Sequence, residues 1–344
     1  MTARTGEIFY IGVDVGGTKV LAGEVAPDGT IVRTSTHRTP GRRVSVRAVE
    51  DALTAAVHDV ADGRTPSGVG LAAAGFVDSA RERVMFAPHL PWAGDPVRAR
   101  LSQRWGVPVA LDNDANCAAL AESELGAARG ASSALMITMG TGIGGAILLD
   151  GMVVRGAQGM AGEFGHMQVV PDGRGCECGR SGCWEQYSSG NALVRFAQAR
   201  VGVEMTMLNE LCGGQPEQLT GPMVTAAAEQ GDLVAKQAFA SVGEWLGVGV
   251  AGLVAGFDPQ VVVIGGGVSA AGDRLIEPAR AALGRALVGA EHRVVPPILA
   301  ARLGPEAGLV GAALLARAEQ QPFSRWVRER RRRRPGRAAR GTSG

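Results

Sequence analysis

Lysine is nearly missing from this chain: of 344 residues only Lys19 and Lys236 carry that side chain. Aromatic residues make up 4% of the sequence, and cysteine occurs five times. The opening stretch MTARTGE has no apolar segment behind its charges, so nothing reads as a secretory signal. The longest weakly polar run, Trp245 to Phe257, is too short and too rich in glycine to cross a bilayer and reads as a core helix. These absences predict a cytoplasmic protein with no membrane partner and no disulfide framework. One charge asymmetry stands out. Between Arg325 and Arg340 lie nine arginines and one acid, which leaves a net −6 on the rest of a chain whose total is +2. A mildly acidic body offers no basic face for nucleic acid, and residues 323–344 are expected to be a disordered basic tail.

What is present is glycine, 51 residues of it, and a 46% hydrophobic content that can fill a large core. At this length two domains, or one two-lobed body, are expected. The densest chemistry lies in Gly162 to Glu185, GEFGHMQVVPDGRGCECGRSGCWE. His166, Cys176, Cys178 and Cys183 supply one imidazole and three thiolates, the donor set of a tetrahedral zinc with a closed shell. Such a shell leaves no position for water or substrate, so the expected zinc is structural. Glu163 and Glu185 flank the loop, and the second ring nitrogen of His166 is left to donate outside the shell. Carboxylates that accept hydroxyl protons, beside an imidazole that donates, suit a polyol.

Two segments share a strand–glycine turn–strand pattern. The first is an apolar run ending in Asp14, then Gly16, Gly17, Thr18 and Lys19, then Val20 to Val25. The second is Leu135 to Met139, then Gly140-Thr141-Gly142-Ile143-Gly144-Gly145, then Ala146 to Leu149. Gly140, Gly142 and Gly145 match G-x-G-x-x-G, but a strand follows where the dinucleotide fingerprint requires a helix. Exposed turn amides can cradle phosphate, and Asp14 can hold a magnesium water shell. Asp112-Asn113-Asp114 falls where a strand's carboxyl end meets a helix, the place where chemistry collects in open α/β sheets. One of those acids is expected to cap the helix, and one to act as general base. Farther on, VVVI runs into Gly265-Gly266-Gly267 and then a helix, a turn that a flat group such as a purine can approach closely. A helix is also expected over Trp184 to Val201.

Together these pieces resemble the ROK family (repressors, open reading frames, kinases) of the sugar kinase/Hsp70/actin superfamily. The motifs DVGGTK, GLAAAGFVD, LPW, NDAN, MGTGIGG, EFGH, CxCGxxGCxE and VIGGGVS occur in the family's order over about residues 8–319. The resemblance implies an α/β, two-lobed actin-like ATPase fold with a duplicated β-sheet core and a cleft between lobes. On that pattern residues 1–116 and 303–322 form a small lobe and 117–302 a large one. It implies an ATP-dependent glucokinase that phosphorylates the 6-hydroxyl, with glucose, ATP, Mg2+ and structural Zn2+ as partners and cofactors. Asp114 would be the catalytic base. Asn113, Gly75, Glu163, His166 and Glu185 would bind sugar, and Asp14 would act through magnesium. Gly16, Gly17, Thr18, Lys19, Gly140, Thr141, Gly142 and Gly144 would hold phosphates, with Gly265, Gly266 and Gly267 facing adenosine. A homodimer or homotetramer is implied. His89 stands where relatives often have Asn, and Asp112 where Glu often precedes NDAN. Another hexose (N-acetylmannosamine, N-acetylglucosamine or fructose) is the competing substrate. A sugar-responsive transcriptional regulator is the competing class, disfavoured because seven residues before Ile8 leave no space for a DNA-binding domain.

Overall fold

A computed structural model describes residues 8–320; the basic tail expected at 323–344 lies outside the described residues. The chain divides into two compact units. The first holds the residues up to 132, 149–152 and those from 307 on; the second holds 133–148 and 153–306. The first unit thus runs past the 116 boundary read from the sequence. The reason is packing: the helix that begins at Asp114 lies on the last helix of the chain, so close that a Cβ on Gly311 would stand 1.8 Å from the Cys117 carbonyl oxygen.

In chain order the first unit contains β1 (Tyr10–Val15), β2 (Lys19–Val25), β3 (Ile31–Arg38), α1 (Val46–Ala61) and β4 (Gly68–Ala73). Then come β5 (Phe76–Val77), β6 (Val84–Phe86), α2 (Val97–Trp105), β7 (Val109–Asn113) and α3 (Asp114–Glu124). The second unit contains β8 (Ser133–Met139), β9 (Ile143–Leu149), β10 (Met152–Val154), α4 (Gly190–Gln198), α5 (Leu208–Leu211), α6 (Gly221–Glu229) and α7 (Leu233–Phe257). It continues through β11 (Val261–Gly265), α8 (Asp273–Ala286) and β12 (Ile298–Ala300), and α9 (Ala307–Glu319) returns to the first unit.

The two main sheets are built on one plan. Their strand orders are β3-β2-β1-β4-β7 and β10-β9-β8-β11-β12. In each, a hairpin's first strand sits at the centre with two later strands parallel beside it, as β1–β4, β4–β7, β8–β11 and β11–β12 are. The duplicated sheet core implied by the resemblance is therefore present. Parallel strands buried on both faces read as continuous apolar runs, which is why GVGLAA and VVVIG are wholly buried.

Glycine sets how closely α9 approaches the first sheet. A Cβ on Gly12 would lie 1.9 Å from the Leu309 carbonyl oxygen, and one on Gly70 1.8 Å from that of Ala312. Only a residue without a side chain fits between strand and helix here. Ala72, Ala110, Cys117, Ala312, Leu315 and Ala316 fill the rest of that seam. In the second unit α7 is long and apolar enough to cross a membrane by length and composition alone. It is nonetheless a core helix: Phe239, Val242, Leu246, Val250 and Val254 recur at helical spacing and are buried against the neighbouring helices and sheet. The helix expected over Trp184 to Val201 is broken. A 3-10 turn spans Trp184–Gln186, and α4 starts only at Gly190, where the Ser189 hydroxyl accepts the Ala192 N–H.

Candidate functional site

Parallel strands deliver their carboxyl ends to one edge of each sheet, and the candidate residues gather at those edges. In the first unit β1, β4 and β7 end at Val15, Ala73 and Asn113. The turn Gly16-Gly17-Thr18 leaves β1 and is closed by the Gly16 N–H donating to Lys19 O at 3.1 Å. Thr39 pins it from the side, donating its hydroxyl to Gly16 O at 2.7 Å and its N–H to Thr18 O at 3.0 Å. Space for a Cβ is open at Gly16, whereas one on Gly17 would stand 2.6 Å from the His89 Cβ. His89 therefore packs on the turn itself.

At the β7–α3 junction the helix cap is Asn113, not an acid as the sequence suggested. Its Oδ1 accepts the N–H groups of Ala115 at 2.9 Å and Asn116 at 3.2 Å. Its Nδ2 donates to Gly75 O at 3.1 Å, and its side chain also hydrogen-bonds the Asp114 carboxyl. The flanking acids add to this cap: Asp114 Oδ1 accepts the Ala115 N–H at 2.9 Å and Asp112 Oδ1 the Asn113 N–H at 2.9 Å. Asp114 is the first helical residue, and burial holds its carboxyl above the ordinary value even though nearby N–H donors oppose the shift. Asp14 is pushed up to about 7, first by burial and then by the negative charge of Asp114, with Lys19 pulling the other way. Two poorly solvated carboxylates thus lie beside a glycine turn, with the exposed Lys19 at its end. That donor set fits a divalent cation with a water shell, whose charge would reverse the repulsion. A residue the sequence reading missed, Gly308 at the start of α9, comes so near that its Cβ would lie 3.0 Å from Asp14 Oδ2.

The second unit repeats the arrangement with other partners. Gly140 N–H donates to Gly142 O at 3.0 Å, and Gly190 N–H donates to Gly140 O at 2.8 Å, docking the start of α4 on the turn. Thr141 is exposed and Gly144 half-buried on this hairpin. Gly266, at φ +82°, rests on Met139: a Cβ there would meet the Met139 carbonyl oxygen at 2.5 Å. The Gly140 turn and the Gly265–Gly267 turn are therefore neighbours, with open space beside both Gly140 and Gly267. The helix expected directly after the triple glycine is delayed by a 3-10 turn over Gly267–Ala271.

The cysteine loop lies against this same hairpin. The ligand atoms of His166, Cys176, Cys178 and Cys183 are all within 4.8 Å of one another. Cys178 and Cys183 sulfurs are 3.6 Å apart, and Cys176 Sγ is 3.8 Å from His166 Nδ1. A tetrahedral zinc with sulfur bonds of about 2.3 Å spaces its ligands about 3.8 Å apart, so the donor set and its spacing both fit that ion. Burial and a hydrogen bond to Glu185 push Cys176 up to about 12. Burial also disfavours the Cys178 thiolate, yet the Arg180 backbone N–H and the neighbouring thiols outweigh it and hold that thiol below its usual value.

Because His166 turns Nδ1 toward the sulfurs, Nε2 is the nitrogen left for a ligand. Glu185 is the hinge of the arrangement: its Oε1 is 3.1 Å from Cys176 Sγ, and a Cβ on Gly142 would lie 2.3 Å from its Oε2. The Glu185 carboxylate thus occupies the space beside Gly142, a contact the motif alone did not reveal. Glu163 immediately precedes the 3-10 turn Phe164–His166, which Gly145 and Gly165 admit against β9. Aromatic packing anchors the far side: Trp184 Nε1 donates to Trp245 O at 2.7 Å, and the Tyr187 and Trp245 rings lie 4.8 Å apart.

The model of the ROK family matches residues 10–319. A glucokinase of Streptomyces coelicolor is 43% identical over 310 residues, covering 89% of this chain and 97% of that protein. Among solved structures, a ROK family glucokinase from Streptomyces griseus, in complex with glucose and AMPPNP, superposes with a TM-score of 0.82 at 44% identity, covering 90% of this chain and 99% of that one. A ROK hexokinase from Thermus thermophilus superposes with a TM-score of 0.70 at 34% identity, covering 91% and 99%.

Proposed function

Because the chain belongs to the ROK family, we propose that it transfers the γ-phosphoryl group of ATP to the 6-hydroxyl of glucose. Its fold is that of the actin-like ATPases, with the sheet used twice. The observation that carries the reading is the pair Asp14 and Asp114, two under-solvated carboxylates beside the Gly16–Lys19 turn. Phosphoryl transfer asks for alignment and charge neutralisation more than for covalent chemistry. Asp114, kept above the ordinary carboxyl range by burial, accepts the proton of the 6-hydroxyl. The freed oxygen bonds to the γ-phosphorus while the bond to the β–γ bridging oxygen breaks and ADP leaves. Asp14 would hold a magnesium ion through its water shell, and that ion would supply charge neutralisation for the phosphates. Lys19 adds a point charge at the same turn.

Sugar recognition falls to Asn113 and to Gly75, whose carbonyl accepts the Asn113 amide. Glu163, Glu185 and His166 Nε2 address further hydroxyls. His166, Cys176, Cys178 and Cys183 would hold a structural zinc, and its task is to fix Glu185 and His166 in place. Gly140, Thr141, Gly142 and Gly144 take phosphate oxygens, and Gly265–Gly267 takes the adenosine. A coupled ADP-release assay over a hexose panel, with ATP and inorganic polyphosphate as donors, tests the reading. Turnover highest with glucose and ATP is expected; no turnover with any hexose overturns it, and a preference for an N-acetylhexosamine or fructose moves the assignment to that sugar. Light scattering of the same sample tests the implied dimer or tetramer.

A further inference from the structure

Asp112 takes no part in the chemistry above, yet it is the most deeply buried acid at that edge of the sheet, 2% exposed. Strand register places Asp14, Ala72 and Asp112 in one row across β1, β4 and β7. Residues in one row of parallel strands point to the same face, so Asp112 stands on the α3/α9 side, two strands over from Asp14. Its Oδ1 accepts two hydrogen bonds at 2.9 Å, from the Asn113 N–H and from Asn116 Nδ2. The Asn116 N–H in turn donates to Asn113 Oδ1 at 3.2 Å. Those bonds close a ring, Asp112–Asn113–Asn116, around the joint from which Asp114 projects.

The ring has a cost that shows it is more than filler. Asn116 Oδ1 is buried with no partner. Turning that amide over would set its oxygen against the Asp112 carboxylate, so the orphan is the lesser evil. An apolar pair would fill the same volume with no unsatisfied oxygen. What an apolar pair cannot do is fix direction. With Asp112 holding the Asn113 N–H and the Asn116 amide, Asn113 Oδ1 is committed to the helix and its Nδ2 to Gly75 O, and the first turn of α3 cannot rotate.

We infer that Asp112 is a positioning residue for phosphoryl transfer: through Asn113 and Asn116 it sets the direction in which Asp114 presents its carboxylate to the acceptor hydroxyl. The inference rests on Asp114 being the base. Its reach is limited to orientation, so its loss lowers kcat and leaves substrate affinities nearly alone.

The test is a set of variants of the full chain, each checked for zinc content, melting temperature and the fraction of active molecules. Asp112→Asn keeps an oxygen able to accept both N–H groups and should stay within about 3-fold of wild-type kcat. Asp112→Leu has the size but no acceptor, and its kcat per active molecule should fall about 30- to 100-fold, with KM for glucose and for ATP within about 3-fold. Asn116→Ala should fall about 10-fold, and the double variant should fall no further than Asp112→Leu alone, because both act through one ring. If Asp112→Leu does not fold, Asn116→Ala and Asp112→Asn decide: an Asn116→Ala enzyme with wild-type kcat overturns the inference. So does an Asp112→Leu enzyme with wild-type kcat, or an Asp112→Asn enzyme as impaired as Asp112→Leu. Asp114→Asn run alongside separates the two claims. A fully active Asp114→Asn removes the base assignment itself, whereas an inactive Asp114→Asn beside an active Asp112→Leu removes only the role given to Asp112.

Discussion

Replacing Gly70 by alanine adds one methyl group to the molecule and should be among its most damaging small changes. The new Cβ would stand 1.8 Å from the carbonyl oxygen of Ala312, 2.3 Å from its carbon and 3.1 Å from its Cα. All three are backbone atoms, so no side chain can swing aside. Helix α9 would have to withdraw from the sheet by roughly 1.5 Å to restore an ordinary contact, loosening the seam of Ala72, Ala110 and Leu315. Overpacking typically costs about 1–3 kcal/mol, and a rigid backbone obstacle belongs at about 3 kcal/mol or above. For a unit of this size that is a fall in Tm of about 6–12 °C. The same substitution at Gly252, exposed on α7 with open space around it, supplies the control and should gain up to about 1 kcal/mol of helix propensity, raising Tm by a few degrees. Differential scanning calorimetry of both variants reads the opposite signs. A Gly70→Ala protein melting within about 2 °C of wild type would refute the claim that glycine sets the helix–sheet distance. Since Gly308 on the same helix faces Asp14, the folded fraction of Gly70→Ala should also need more magnesium for half-maximal activity.

Asp114→Asn should lower kcat by about 10² to 10⁴ while glucose binding, read by intrinsic tryptophan fluorescence, changes by no more than a few-fold; kcat near wild type would reassign the base. Cys178→Ser should abolish stoichiometric zinc in metal analysis and raise KM for glucose at least about tenfold, and a variant with normal KM would separate the loop from sugar binding. For Asp14 the folded pKa of about 7 lies above the ordinary 3.8, so the fold favours its protonated form. Metal-free protein should therefore lose stability as pH rises from about 4 to 7 and level off above, by at most about 4 kcal/mol, and Asp14→Asn should flatten the slope. Parallel melting profiles for the two proteins in chelator would dismiss that account.

How far the sequence could be read depended on whether a residue's task was local. The cysteine loop was legible because four metal ligands within one short stretch have few other uses, and their atoms do converge. Paired strand–glycine–strand runs likewise foretold two sheets of one plan, since a hairpin is a local object. Local rules failed where distant backbone intervened. One helix was expected over Trp184 to Val201, but the chain breaks at Ser188 and Ser189: the Ser188 hydroxyl donates to Val242 O on α7 at 3.0 Å, and Ser189 recaps the chain. The residue at the helix cap proved to be Asn113, because an amide can accept from α3 while donating to Gly75; Asp114 accepts the Ala115 N–H beside it.

Glycine shows the limit most plainly. Gly12, Gly70 and Gly311 lie in ordinary strands and a helix, and nothing in their neighbours in sequence calls for glycine. Each is dictated by a backbone carbonyl brought in from another element: Gly12 and Gly70 by α9, Gly311 by α3. Gly142 belongs to a recognisable turn, yet the atom nearest to where its Cβ would stand is a carboxylate oxygen 43 positions away, on Glu185. A motif can therefore be right about the place and silent about the reason. In this chain the reason decides what a substitution does. An alanine at Gly16, where space is open, should mainly disturb phosphate binding and so raise KM for ATP. At Gly142 it should push Glu185 away from Cys176 and act on the sugar instead. Steady-state kinetics with each substrate varied in turn would distinguish the two, and equal effects of both variants on the ATP dependence would show that the second turn serves phosphate alone.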